Sequence, residues 1–89
     1  MKLAKIIGTV TSTAKDPSLI GETLLICDII DGQTNSIGQN CIAADTVGAG
    51  TGDIVLIANG SAARVPKKTT GKPIDAAIIA VVDKATISK

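Results

Sequence analysis

"VGAGTGDIVLIANGSAAR", residues 47–64, sets four glycines and one charge pair, Asp53 and Arg64, around a short apolar run. Either it cradles a phosphate or it is a tight turn feeding a strand, and the fold follows from the choice. A Walker loop needs Gly, four residues, then Gly-Lys-Ser/Thr, so that the lysine reaches the phosphates. Here Asp53 follows Gly52, and a carboxylate repels phosphate. A dinucleotide fingerprint needs G-x-G-x-x-G between a strand and a helix. Gly48, Gly50 and Gly52 are spaced two apart instead, and "DIVLIA" after them is strand-like. The stretch therefore reads as a turn and a strand. Three glycines in five residues exceed what one turn needs, however. Glycine also lets a second backbone approach closely, so contact with a neighbouring copy is the sharper expectation.

Working outward, most apolar positions are β-branched, with Ile alone occurring fourteen times. That composition favours strands. Five are expected: residues 3–13, 23–31, 40–45, 53–58 and 76–83. Pro17 and Gly21 mark a loop after the first, and "GQTNSIGQ" after the second is turn chemistry. Ser61 is placed to cap a single helical turn in "NGSAAR". The basic segment 65–72, bearing Pro66 and Gly71, reads as a mobile loop. One all-β domain over residues 1–89 follows, a small five-stranded OB-like barrel with one short helical turn. The second, fourth and fifth strands are apolar on both faces, whereas a half-buried strand alternates. One face looks into the barrel. The other asks for a partner, so an oligomer is expected.

Composition narrows the function. Among 89 residues there is no His, Phe, Tyr or Trp, and the formal net charge is +1. Without His the commonest general base and metal ligand is missing. Without aromatics nothing stacks on a base, and a near-neutral charge gives no general attraction to nucleic acid or an anionic membrane. The candidate nucleophiles Ser18, Ser61, Cys27 and Cys41 lack a histidine partner, and Asp28, Asp31 and Asp45 cluster no more than turns require. Cys27 and Cys41 lie on apolar stretches and read as buried free thiols of a reducing cytosol, with a disulfide or half a metal site as the alternatives. The N-terminal "MKLAKIIGTVTS" lacks the apolar stretch of a signal peptide, and the run Ala76 to Val82 is too short to span a bilayer. Neither catalysis nor a cofactor nor a bound metal is expected.

"DTVGAGTGDIVLIANGSAAR" closely resembles the signature of the EutN/CcmL family, the pentameric vertex proteins of bacterial microcompartment shells. "GTV" at 8–10, "KDPSLIGETLLI" at 15–26 and "PIDAAIIAVVD" at 73–83 resemble the family's other shared stretches, in the right order. The resemblance implies a structural shell protein in the bacterial cytoplasm, a homopentamer working beside hexameric shell proteins in a carboxysome-like organelle. It also implies subunit-interface or pore positions: Gly48, Ala49, Gly50, Gly52 and Asp53 in the loop, then Gly60, Ser61, Ala62 and Arg64. The last four match the family's "GSSAR" element, with Ala62 or Ala63 departing from its serine. An Arg64 pair with Asp53, or with Asp45 of another subunit, suits that placement. The stretch leans slightly towards members from catabolic compartments. The competing reading is an OB-type small binding module for a ligand or nucleic acid.

Overall fold

The computed structural model describes residues 1–11, 17–67, 69–71 and 74–83. Five strands form: β1 (Lys2–Thr9), β2 (Leu24–Ile30), β3 (Ser36–Asp45), β4 (Ile54–Asn59) and β5 (Ala76–Val81). They close into a barrel in the order β1-β2-β3-β5-β4. Every neighbouring pair is antiparallel except β3 and β5, which run parallel through Ala44–Ala77 and Asp45–Ile78. That short parallel seam closes the barrel and removes a free sheet edge. Residues 12 and 13, expected at the end of the first strand, lie outside the described residues.

β-branched side chains fill the inside. Ile6, Val55, Ile57 and Ile78 are fully buried and pack with Ala4, Leu25, Cys27 and Ile29. Small residues keep so narrow a barrel from overfilling, since interiors are close-packed and one extra methylene is felt. A second cluster sits on the outer side of β3 and β5. There Ala44 and Ala77 are covered by Ala63 and Ile74, with Leu19 and Leu24 at its margin. The chain thus covers part of its own outer face with its turns, which the two-faced strands alone do not announce. The rest stays open. Leu3, Ile26, Ile54 and Leu56 are only half buried, and Ile42 and Val81 are exposed.

Several boundaries differ from the sequence expectation. β3 begins at Ser36, not at residue 40. The turn proper is Asp31–Asn35, where Asp31 Oδ1 accepts the N–H groups of Gln33 and Asn35 at 2.8 and 3.0 Å. Gly38, with φ +79°, lies at an irregularity inside β3 and is not a turn residue. Among the described residues there are two short 3-10 helices, Pro17–Leu19 and Gly60–Arg64, where one was expected. Ser61 does not cap the second. Its N-cap is Asn59, which makes no side-chain cap bond, and Ser61 lies inside the turn.

Within the 65–72 segment, the described residues Thr69 and Thr70 are more firmly tied than the Pro/Gly content suggests. Thr69 is fully buried, and its Oγ1 donates to the Ala63 carbonyl at 2.6 Å, with Pro66 O at 3.1 Å. Thr70 Oγ1 reaches the carbonyls of Arg64 and Pro66. Thr69 therefore ties itself and Pro66 to the end of the second 3-10 turn. Thr69→Val keeps the shape and deletes the hydroxyl, leaving the Ala63 carbonyl to lose its partner. Unfolding in urea is expected to show a loss of about 1–3 kcal/mol, whereas an unchanged midpoint would mean that water replaces the bond.

Candidate functional site

The glycine loop begins where β3 ends. Asp45 is buried, and its Oδ1 accepts the N–H groups of Val47 and Gly48 at 3.0 and 3.1 Å. This side-chain turn bends the chain away from the barrel wall. Thr46 holds the bend from the other side, donating Oγ1 to the Ile78 carbonyl at 2.6 Å. Gly48 follows at φ +81°, a left-handed conformation that glycine adopts without strain.

A second turn carries the loop into β4. Asp53 N–H donates to the Gly50 carbonyl at 3.0 Å, and Gly52 occupies the third position of that turn at φ +94°. Gly52 N–H donates to Ile6 O at 2.9 Å while Ile6 N–H donates to Asp53 O at 3.0 Å. Two loop residues thus oppose one residue of β1, a bulge whose first member is a left-handed glycine. Asp53 Oδ2 accepts the Gly50 N–H at 2.9 Å. Ala49 is half buried against the barrel core. Two glycines are therefore explained by turn geometry.

Gly50 is not. Its φ lies outside the left-handed region, and a Cβ added there meets nothing within 4 Å. Among the described residues nothing requires a glycine at this position.

The second group of expected site residues forms the 3-10 turn Gly60–Arg64 at the end of β4. Gly60 N–H donates to the Asp75 carbonyl at 2.8 Å, tying the turn to the entry of β5. Ser61 and Ala62 are exposed, while Ala63 points inward and is fully buried. Arg64 is exposed, and its Nη1 donates to the Ile74 carbonyl at 3.0 Å. Among the described residues no ion pair joins Arg64 to Asp53 or Asp45 within the chain. Both carboxylates close their own turns, because N–H groups two or three residues away are nearer than a guanidinium on another element. Asp28 and Asp31 are used in the same way, Asp28 by Ser36 Oγ at 2.8 Å and Asp31 by its turn. What sequence reasoning missed is Thr69 and Ile74, the hydroxyl and the carbonyl that hold this 3-10 turn in place. No local motif marks either, since each acts through a contact made only on folding.

Fold and loop define a small closed OB-like barrel whose glycine-rich turns face outward and whose outer strands are half covered. The chain belongs to the EutN/CcmL family: the family model described as "Ethanolamine utilisation protein EutN/carboxysome" matches residues 1–83. It is 44% identical over 89 residues to the carboxysome shell vertex protein CcmL of Thermosynechococcus vestitus, covering 100% of this chain and 88% of that protein. It is 40% identical over 84 residues to the bacterial microcompartment shell vertex protein EutN of Escherichia coli, covering 94% of this chain and 88% of that one. The carboxysomal and ethanolamine-utilisation relatives are thus matched to a similar degree, without the slight lean towards catabolic members. Among solved structures it matches GrpN, a pentameric microcompartment shell protein from Rhodospirillum rubrum, with TM-score 0.90, 39% identity and 100% of both chains covered.

Proposed function

We propose that this chain is a vertex protein of a bacterial microcompartment shell, in the cytoplasm, whose homopentameric rings let the shell close. The observation that carries this reading is the full-length match to a pentameric shell protein at TM-score 0.90. A sheet of hexagonal tiles is flat, and curving it into a closed polyhedron requires pentagons. Hexameric shell proteins are accordingly the proposed neighbours of the ring. The role is structural and not enzymatic, in keeping with the names of the relatives and with carboxylates spent on turns. Gly50 and Arg64 are the proposed ring contacts, because each has capacity that the described residues of its own subunit leave unused: open space around Gly50 and four further guanidinium N–H groups on Arg64.

Half-covered apolar strands supply the driving force, since burying an exposed Ile or Val side chain contributes about 1.5–3 kcal/mol. Native mass spectrometry at micromolar concentration is expected to show a homopentamer. A stable monomer under those conditions would sink the proposal.

A further inference from the structure

Cys27 on β2 and Cys41 on β3 stand directly opposite each other in the antiparallel register. Opposite residues on neighbouring antiparallel strands share a face of the sheet. Here the face is the barrel interior: Cys27 is fully buried, and Cys41 packs against the same core while remaining partly exposed. Both thiols are free.

The ladder sets their spacing. Asp45 N–H donates to the Thr23 carbonyl, which marks that pair as hydrogen-bonded. Counting along the register in steps of two, Cys27–Cys41 is a hydrogen-bonded pair as well. Such pairs have Cα atoms about 5.5 Å apart, inside the range of about 4.4–6.8 Å that disulfides span. Their Cβ atoms stand at the wide end of about 4.5–5.5 Å, against about 3.5–4.5 Å in a disulfide, so closing the bond draws the two strands together by about 1 Å.

The two sulfurs are not equivalent. Burial and the facing Cys41 push the Cys27 thiol up to about 12. Burial raises Cys41 too, but the Cys27 thiol and the Lys2 ammonium both favour its thiolate. Cys41 is also the one that solvent reaches. It is therefore the attacking sulfur and Cys27 the resolving one.

We propose that Cys27 and Cys41 form a redox pair, converted by small disulfide compounds into an intrachain disulfide that staples β2 to β3 across the barrel wall. The Cys41 thiolate attacks one sulfur of the compound RSSR, forming a mixed disulfide and expelling RS⁻, which takes up the proton that Cys41 released. Cys27 then gives up its proton and attacks Cys41 Sγ. The S–S bond between the Cys27 and Cys41 side chains of one subunit forms, and a second RS⁻ leaves with that proton. Two protein thiols lose two electrons and two protons, and one RSSR becomes two RSH.

The folded protein is to be incubated with excess oxidised glutathione and followed by intact mass and thiol titration. The expected result is loss of both thiols, a mass lower by two hydrogens, no retained glutathione, a single-chain band on a non-reducing gel and full reversal by dithiothreitol. Cys27→Ser is expected to stop as a stable glutathione adduct on Cys41. Cys41→Ser, which alters the partly exposed position and spares the buried one, is expected to form neither bridge nor adduct. Three results would each overturn the proposal: both thiols surviving in the folded wild type, a wild-type adduct that never resolves, or a bond between two chains.

Discussion

Gly50→Val is expected to leave the barrel folded and abolish the ring. The loop separates its glycines by role. Gly48 at φ +81° and Gly52 at φ +94° are needed by their own turns. Alanine at either is expected to destabilise the subunit itself by roughly 1 kcal/mol, because a side chain at positive φ is strained. Gly50 carries no such demand, and a Cβ there meets only open space. An isopropyl group at position 50 therefore does little to an isolated subunit. If a neighbouring backbone passes over this loop in the ring, the same group fills the space that the neighbour occupies. The variant should keep β-sheet circular dichroism and melt within a few degrees of wild type, yet elute as a species smaller than the ring. In cells holding the remaining shell proteins, elongated or unclosed compartments are expected, because flat facets form while vertices are missing. Wild-type rings from Gly50→Val would make the loop an ordinary turn and move the contact to the outer faces of β2 and β4.

The strands were largely legible because their signal is local. Apolar runs bounded by Gly, Pro and Asp locate β2, β4 and β5 to within a residue or two, since these three strands are apolar along most of their length. The start of β3 was not legible. Residues 36–40 are exposed throughout, so they carry no apolar alternation, and Gly38 looks like a turn residue when its positive φ serves an irregularity within the strand. The bulges at Ile6/Gly8 and Leu56/Ile57 were equally hidden, because a bulge is a mismatch between two strands and neither sequence alone contains it. In the candidate site, the glycine loop and the "GSAAR" turn could be found from residue type and spacing. Their internal wiring could not. Asp53 and Arg64 have opposite charges and invite pairing on paper, but the Gly50 amide lies three residues from Asp53 and wins by proximity.

The wiring leaves Arg64 as the second place where the ring is open to test, and Arg64→Ala is expected to weaken assembly far more than folding. Among the described residues of its own subunit this side chain makes one hydrogen bond, to the Ile74 carbonyl, from an exposed position. Losing it is expected to alter subunit stability by no more than about 1 kcal/mol, the ordinary worth of a single net hydrogen bond. A guanidinium is a rigid fork, however, and one N–H on a carbonyl leaves the rest of the fork available to a carboxylate. Asp45 Oδ1 and Asp53 Oδ2 hold their turns, which leaves the second oxygen of each able to receive a neighbour's Arg64. Truncating one partner of a desolvated charge pair across an interface costs about 2–5 kcal/mol, and a cyclic ring repeats that loss at every contact. In a dilution series followed by native mass spectrometry, Arg64→Ala rings should dissociate at concentrations at least tenfold above wild type, with subunit melting nearly unchanged. Arg64→Lys keeps the charge and loses the fork, so it should fall between the two. If Arg64→Ala rings persist to the same dilution as wild type, the residue is only the clasp that fixes its 3-10 turn to the entry of β5.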